Sequence, residues 1–314
     1  MNNCTIIVPT YERPDCLSVQ LAWLDHENFP GRLLIADSSN DQIFRFNAKT
    51  IKDTKVETVH IDCRGLPEKD STKKAIDQVT SEFVCWTGDD DFQVMSGLKK
   101  TVDYLTNNKS VGAARGQGIR VYLERILNNS HSFFYRTYDP PLALGDSFEK
   151  RLESFMKNGW GDTHYSVFRT NILRESYKKV HLINDRLLGA GCLPIIMSLK
   201  QTELVRLNHL SLFKGLHSKR YEAPETAFEK IIKDEFVKDL QNLYFLTEEA
   251  CSSSSYRRQI INKMLLRVVF GAPMLQQSFL DEGKWKFRSI CSTFRYLLKI
   301  KEFNDFYKSN FNIC

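Results

Sequence analysis

The sequence lacks the short motifs that mark the common nucleotide-binding folds. No G-x-G-x-x-G follows the first apolar run, and no G-x-x-x-x-G-K-[ST] phosphate loop occurs anywhere in the 314 residues. These absences argue against a plain dinucleotide-binding domain and against a P-loop enzyme.

Long apolar runs are also missing. No segment reaches the roughly 18 apolar residues that a bilayer-spanning helix needs. The opening stretch "MNNCTIIVPTYERP" has no positively charged region followed by a long apolar one. We therefore expect neither a membrane span nor a signal peptide. The expected location is the cytoplasm, with any membrane contact peripheral and at the inner face.

Paired cysteines and blocks of positive charge are absent as well. The eight cysteines are scattered singly, without a C-x-x-C pair, so neither a zinc site nor a redox motif is indicated and the thiols should be reduced. A net charge of +6 is mild for this length and favours anionic ligands. No Lys/Arg block or nucleic-acid motif accompanies it, and we expect no nucleic-acid partner.

What the sequence does contain is an alternation of strand and helix patterns in its first 90 residues. Four β-branched or apolar runs predict buried strands, at 4–10, 32–39, 55–62 and 82–87. Two stretches with helical spacing, 13–27 and 68–80, lie between the first and second and between the third and fourth of these runs. The order strand, helix, strand, strand, helix, strand is typical of an open, mostly parallel α/β sheet.

Polar residues follow each of these strands where it ends. The segments are 10–13, 37–39, 62–66 and 89–91. In open α/β sheets, ligands bind outside the carboxyl ends of the strands. Carboxylates collected at that edge, beside main-chain N–H groups and basic side chains, suit a divalent cation that holds a phosphorylated ligand.

The most unusual of these segments is the acidic triplet in "FVCWTGDDDFQV". Three adjacent carboxylates repel one another, and burying them is costly unless a cation or hydrogen-bond donors compensate. An isolated triplet of this kind is often just a turn after a strand, because Gly and Asp are ordinary turn residues. The other strand-end segments favour the functional interpretation.

Three segments together resemble the GT-A glycosyltransferases, and specifically family 2. "TIIVPTYERPDCL" is similar to that family's first strand and loop, "LLIADSSND" to its second strand, and "FVCWTGDDDF" to its metal-binding D-x-D segment. The resemblance implies a Rossmann-like, mostly parallel sheet flanked by helices. It divides the chain into a catalytic domain at 1–220, with a nucleotide-sugar half at 1–125 and an acceptor half at 126–220, and a C-terminal helical region at 221–314.

The resemblance also implies a set of donor-binding residues. They are Pro9, Thr10, Tyr11, Arg13, Asp37, Ser38, Leu66, Lys73, Asp89 and Asp90. The first four would surround the base and ribose, and Asp37 would accept a hydrogen bond from the base, typically uracil. Simpler interpretations stay open: Tyr11 packing on its own loop, Lys73 as a solvated helix residue, and Asp37 capping a turn.

The implied cofactor is Mn²⁺ or Mg²⁺, with Asp91, Asp89 and His217 as ligands. Asp91, with Asp90 as a further candidate, would hold the ion that bridges the donor diphosphate. His217 lies in "LSLFKGLHSKRY", which can equally be a solvated basic loop. Among the outer aspartates, we rank Asp91 first.

The catalytic base is where the sequence departs from the family pattern. An E-D pair is expected at the start of a helix, but this chain has Leu193 and Pro194 there. Asp162, which precedes the predicted strand "HYSVFRT", and Asp185 are the candidates to deprotonate the acceptor hydroxyl. Both can also be turn or cap residues. Trp160 and His164 are assigned to the acceptor pocket, since aromatic faces pack against sugar rings.

The tail after Pro224 shows long helical patterns and no strand signals. Its last pattern mixes aromatic and basic residues. It suits an anionic membrane surface, where a lipid-linked acceptor would be found. Alternatively, its apolar side packs on the catalytic domain or on a second subunit in a homodimer.

The expected function is therefore that of a metal-dependent, inverting glycosyltransferase. It would move a sugar from a nucleotide donor, a UDP-sugar first, to a saccharide or lipid-linked saccharide in bacterial surface polysaccharide synthesis. One alternative is a catalytically degenerate GT-A module that binds saccharide or scaffolds other transferases. Another is a nucleotidyltransferase, although the glycine-rich basic loop of such enzymes is missing.

Overall fold

One mixed sheet organises the part of the chain that the structure, a computed structural model, describes. The described residues are 2–123, 136–138, 142–158, 163–216, 233–249, 251 and 296–311. They contain nine strands: β1 Cys4–Thr10, β2 Arg32–Asp37, β3 Glu57–Asp62, β4 Phe83–Trp86, β5 Asp91–Gln93, β6 Ala113–Tyr122, β7 Arg136–Tyr138, β8 Val167–Arg169 and β9 Leu204–Leu216.

Helices cover the sheet and connect its strands. Those within the described residues are α1 Pro14–His26, α2 Asp41–Lys52, α3 Glu68–Asp77, α4 Met95–Asn107, α5 Phe148–Asn158, α6 Thr170–Ser176, α7 Leu193–Gln201, α8 Asp234–Glu248 and α9 Leu297–Phe311. None of them is both long and apolar enough to span a bilayer.

The order of strands is β3-β2-β1-β4-β8-β6-β9-β5, with β7 added to β6. The first four are parallel, and the remainder pair in both directions. This confirms the predicted α/β class with its mostly parallel sheet. Each of the four predicted strands forms within two residues of its expected ends.

Helix α2 is an element that the strand and helix patterns missed. It stands between β2 and β3, where the sequence suggested two strands in succession. Asn40 begins it, because its side chain accepts hydrogen bonds from the backbone N–H groups of Gln42 and Ile43. Only Asn47 and Ile51 of this helix are buried. Its sequence nevertheless carries helix signals, in this cap and in apolar residues at helical spacing.

The predicted strand around residue 167 is also shorter than expected. Thr163–Tyr165 forms a single 3₁₀ turn, and only Val167–Arg169 joins the sheet. The turn places the side chain of Tyr165 at the sheet edge instead of in the ladder.

The core lies on both faces of the sheet because strand side chains alternate. Ile7 packs with residues of α3, α5 and α7 on one face. Its neighbours Ile6 and Val8 pack with α1 and α4 on the other. Cys4 and Cys85, two of the predicted thiols, are buried here and form no disulfide.

A third cluster joins the C-terminal helix to the sheet. Phe303 and Tyr307 of α9 pack among Trp23, Phe92 and Phe213. Phe303 stacks on Phe213 with ring centroids 4.4 Å apart. Aromatic pairs of this kind contribute roughly 0.5–1.5 kcal/mol each beyond their buried area. The described end of the helical tail thus packs on the sheet, as one of the two sequence interpretations held.

Helix α4 approaches strand β9 so closely that only glycine fits at the contact. A Cβ on Gly97 would lie 1.9 Å from the carbonyl oxygen of Leu210. A side chain at position 97 would therefore push the backbone of α4 away from that of β9.

We predict that Gly97→Ala destabilises the protein by about 1–3 kcal/mol, the usual cost of overpacking. Urea unfolding measures the change. Ser96→Ala, an exposed position one residue earlier in the same helix, is the matched control and should stay within about 0.5 kcal/mol of the original chain. Equal stability of the two variants would contradict the close contact.

Candidate active site

The carboxyl ends of the parallel strands meet at one edge of the sheet, in register. Thr10 of β1 pairs with Asp37 of β2, and Asp37 pairs with Asp62 of β3. The chain continues past each end in the same plane: Ser38 N–H donates to the Thr10 carbonyl at 3.0 Å. The structure therefore brings the predicted strand-end segments together.

The first aspartate of the triplet is held by the loop after β1. Asp89 is fully buried. Its Oδ2 accepts a hydrogen bond from the Thr10 hydroxyl at 2.7 Å, and its Oδ1 pairs with the Arg13 guanidinium. Arg13 also donates to Asp90 at 2.9 Å. One guanidinium is thus shared by two of the three carboxylates.

Burial dominates the electrostatics of this pair. It raises the pKa of Asp89, while the positive charge of Arg13 lowers it and the neighbouring Asp90 raises it further. For Arg13, burial lowers the pKa but the two aspartates raise it more, so the guanidinium stays charged. The acidic loop and the β1 loop therefore stabilise each other.

Asp91 has different partners from its two neighbours. It is the first residue of β5 and is 3% exposed. Its Oδ2 accepts from the Tyr165 hydroxyl at 2.5 Å, and its Oδ1 accepts from the Gly215 N–H of strand β9 at 2.9 Å. The side chain is therefore fixed from two separate parts of the chain.

Two cations flank the Tyr165 ring. The Arg115 guanidinium carbon lies 5.2 Å from the ring centroid and the Lys214 ammonium 5.1 Å from it. Lys214 is also the residue directly opposite Asp91 in the β5–β9 pair. Positive charge is thus concentrated around the third aspartate.

A glycine leaves room for the carboxylates to converge. A Cβ on Gly88 would lie 2.8 Å from Asp91 Oδ2 and 2.9 Å from Asp90 Oδ1. Two carboxylate oxygens therefore border one small space beside the Gly88 backbone. An all-oxygen donor set is what Mg²⁺ and Mn²⁺ prefer, so these residues fit a divalent cation.

The triplet does not itself place three ligand atoms together. Among the described residues, one group does so within 4.8 Å, namely His26, Glu27 and Glu302. The Lys299 ammonium bonds both glutamates there, at 2.6 Å and 3.0 Å. This group is an ion-pair cluster that links α9 to the end of α1, and none of its residues belongs to the triplet.

The loop after β1 is held in an uncommon backbone conformation. Glu12 has φ of 55°, which costs a non-glycine residue free energy unless its surroundings enforce it. Its backbone N–H donates to the Ser39 hydroxyl at 2.9 Å, and its carboxylate accepts two hydrogen bonds from Asn40, both at 2.6 Å. The β1 and β2 loops are therefore one connected unit.

Tyr11 projects from this unit with 46% of its surface exposed. Leu66, in the loop after β3, is also exposed. Pro9, in strand β1, and Ser38, in the loop after β2, are half-buried. The role of Tyr11 toward the base stays a prediction.

Asp37 is a buried centre of hydrogen bonds. Its carboxylate accepts from Ser39 N–H at 2.9 Å, from the Asn47 amide at 2.8 Å and from His60 Nε2 at 2.9 Å. The His60 ring in turn stacks on Phe44 with centroids 4.1 Å apart. Asp37 is 0% exposed, and its assignment as a base acceptor stays a prediction.

Lys73 and Asp185 have local partners. Lys73 pairs with Asp77 on its own helix at 2.6 Å, and its role toward phosphates stays a prediction. Asp185 Oδ1 accepts the Leu188 N–H at 2.9 Å, as a helix cap does. Leu193 and Pro194, where an acidic pair was expected, are buried.

The acceptor residues are described in part. His164 lies in the 3₁₀ turn, with its ring 5.3 Å from that of Trp86. Trp160, Asp162 and His217 lie outside the described residues. Their assigned roles stay predictions.

Sequence reasoning missed Tyr165, Glu12 and His60. Tyr165 follows the singled-out His164, so its position was a weak signal. Glu12 stands inside the singled-out loop 10–13, but nothing local reveals its positive φ. His60 lies in the middle of β3, and its contact with Asp37 depends on how β3 is aligned with β2, which the sequence does not show.

Comparisons with known proteins rest on structure. No family model matches the chain, and no curated protein matches its sequence. The structure of S. aureus TarS 1-349 in complex with UDP-GlcNAc superposes with a TM-score of 0.59 and 16% identity, over 90% of this chain and 78% of that one. A further structure of S. aureus TarS 1-349 gives a TM-score of 0.57 and 14% identity, over 98% and 90%.

The chain has the GT-A glycosyltransferase fold. A longer S. aureus TarS chain agrees, with a TM-score of 0.58 and 16% identity over 90% of this chain. The match spans about half of that protein, 47% of its length. Identities this low establish the GT-A fold alone, and the acidic triplet stands at the carboxyl edge of that fold.

The hydrogen bonds of Asp37 generate a pH prediction. Burial raises the pKa of Asp37, but the donors His60, Asn47 and Ser39 outweigh it and hold the pKa below its ordinary value. Such a group stabilises the fold above its unfolded pKa of about 3.9, and this contribution is lost as the pH falls through the lower folded value.

We therefore expect Asp37→Asn to lower the free energy of unfolding at pH 7 by about 1–3 kcal/mol. The difference from the original chain should shrink as the pH falls below about 4. Urea unfolding between pH 7 and pH 3 measures it, with the exposed Asp53→Asn as control. A difference that stays constant over this range would contradict the lowered pKa.

Proposed function

We propose that this protein is a metal-dependent, inverting glycosyltransferase that uses a nucleotide-sugar donor. The observation that carries the proposal is the convergence of Asp90 and Asp91 oxygens beside Gly88, at the carboxyl edge of a GT-A sheet. UDP-sugars are the first donors to test, because the family resemblance favours uracil and structures of S. aureus TarS hold UDP-GlcNAc and UDP.

The nucleoside would bind on the connected β1 and β2 loops. Tyr11, exposed at this edge, offers a face for the base. Asp37 would act by shaping the pocket or through its remaining acceptor capacity, since three donors already engage it. Leu66, in the loop after β3, would line the far side of this nucleoside pocket.

Asp91 and Asp90 are the proposed protein ligands of Mn²⁺ or Mg²⁺. Asp89 has Thr10 and Arg13 as partners, which suits a residue that positions the loop and faces the ribose. When bound, the cation stabilises the negative charge that develops on the departing diphosphate. His217 is kept as a candidate third ligand.

The chain itself supplies further charge for the leaving group. Lys214, opposite Asp91 on β9, is placed to attract a diphosphate oxygen. In the reaction, the acceptor oxygen forms a bond to the sugar C1 while the C1–O bond to the diphosphate breaks, and the acceptor proton passes to a carboxylate. The positive charge of Lys214 would stabilise the negative charge that develops on the departing diphosphate.

Asp162 and Asp185 remain the two candidates for that carboxylate. Asp162 is separated from Tyr165, the hydrogen-bond partner of Asp91, by only two residues of sequence. Asp185 already caps a helical segment. Chain proximity thus supports Asp162, with Trp160 and His164 on the acceptor side.

The proposed acceptor is a saccharide or lipid-linked saccharide of a bacterial surface polysaccharide, as family 2 resemblance suggests. The proposed location is the cytoplasm or the inner membrane face, and a homodimer is a further possibility to test. A saccharide-binding module without turnover is the second candidate function. It is favoured by one observation, the buried apolar residues Leu193 and Pro194 where the acidic pair is expected.

The decisive test is nucleotide release. The protein is incubated with a panel of UDP-, GDP-, CDP- and dTDP-sugars, with Mn²⁺ or with EDTA, with and without oligosaccharide acceptors. We expect metal-dependent release of one nucleoside diphosphate and its loss in Asp91→Asn by at least about a hundredfold.

Asp103→Asn is the matched control. Asp103 is an exposed aspartate paired with Lys99 on α4, and its variant should keep full activity. Nucleotide-sugar binding without turnover in any combination would support the module instead. Release that EDTA leaves unchanged would refute the metal dependence.

Tyr165 provides a second prediction at the same site. Removing the hydroxyl in Tyr165→Phe deprives Asp91 Oδ2 of the donor that orients it. Loss of such an outer contact typically weakens metal affinity by about 10–100-fold. We expect a raised Mn²⁺ concentration for half-maximal rate, with little change in donor KM at saturating Mn²⁺.

Tyr104→Phe, a tyrosine packed against the core cluster of α1 and α4, is the control for loss of a phenol. Its Mn²⁺ dependence should match the original chain. An unchanged Mn²⁺ dependence in Tyr165→Phe would leave Tyr165 with a packing role only.

A further inference from the structure

The strand that carries Asp91 has little of its own to hold it. β5 contains three residues, Asp91–Gln93, and among the described strands it pairs only with β9. A strand this short at the end of a sheet gains few ladder hydrogen bonds. Its position must therefore depend on what packs against its side chains.

The central residue of β5 is covered by the C-terminal helix. Phe92 is 1% exposed, and its ring lies 5.0 Å from that of Phe303 and 6.0 Å from that of Tyr307. Phe303 is itself fully buried. Because Phe92 follows Asp91 directly, its packing sets the direction in which the Asp91 side chain leaves the strand.

The same helix also reaches the C-terminal end of the short strand, through Trp23 and Glu27. Trp23, which packs on Phe303 and Phe306, donates from its indole N–H to the carbonyl of Gln93 at 2.7 Å. Lys299 bonds Glu27 at 2.6 Å, and the other oxygen of Glu27 accepts the Met95 N–H at 2.9 Å. Aromatic and ionic contacts of α9 thus meet the chain on either side of Gln93.

We propose that helix Leu297–Phe311 is a positioning element of the metal site, with Phe303 acting through Phe92 to hold Asp91 in place. Its aromatic side chains pack among Trp23, Phe92 and Phe213. The expected change in Mn²⁺ affinity rests on the proposed function. The geometric part of the inference, the order of β5, is independent of any reaction.

Phe303→Leu is the first test variant, because it shortens the ring contact while keeping an apolar side chain. Phe155→Leu is the matched control, since Phe155 is equally buried but belongs to the cluster on α5. Mn²⁺ affinity is measured by electron paramagnetic resonance in the presence of UDP. Amide hydrogen exchange of a peptide spanning residues 87–94 is measured without ligand.

We expect Phe303→Leu to weaken Mn²⁺ binding about tenfold, as loss of an outer contact does, and to speed exchange in the 87–94 peptide. Phe155→Leu should leave both unchanged even where its melting temperature falls equally. Equal effects of the two variants, or no effect of Phe303→Leu, would overturn the inference.

Lys299→Met gives a second route if Phe303→Leu does not fold, with Lys299→Arg as the conservative rescue. Faster exchange at 87–94 in the first and near-normal exchange in the second support the inference; normal exchange in both overturns it. Absence of Mn²⁺ and UDP binding in the original chain would refute the proposed function, whereas the exchange comparison would still decide the positioning role.

Discussion

The candidate site depends on how the chain tolerates three adjacent carboxylates. Each aspartate has its own compensation from a different part of the fold. Asp89 is bound by Thr10 and Arg13, Asp90 shares Arg13, and Asp91 is held by Tyr165 and Gly215. Without these donors, burying the triplet would cost several kcal/mol. The donors are therefore as much a part of the site as the acids.

This arrangement distributes the work within the triplet. The buried Asp89 joins the acidic loop to the β1 loop. The β1 loop is in turn joined to the β2 loop by Glu12, which has a positive φ and accepts two hydrogen bonds from Asn40. One oxygen each of Asp90 and Asp91 borders the space beside Gly88. One edge of the sheet is thus a connected polar surface, on which the proposed nucleotide and cation would be neighbours.

Local patterns accounted for much of this edge. The runs at 4–10, 32–39, 55–62 and 82–87 are strands, and the polar segments that follow them meet because parallel strands end together. Helix α2 was missed although its sequence carries local helix signals, namely the Asn40 cap and apolar residues at helical spacing. Asp185 is one of the two candidates for the catalytic base, and in the folded chain its carboxylate caps a helical segment.

The sequence by itself determined the class of sheet, the edge at which polar groups collect, and the acidic triplet as the residues that need a partner. These follow from periodicity and turn chemistry, which act over a few residues. Only the tertiary structure decided which donor meets which aspartate and that the distant helix α9 packs on Phe92, the neighbour of Asp91. Those contacts join positions far apart in the chain, and their geometry depends on strand register and side-chain packing that no local pattern encodes.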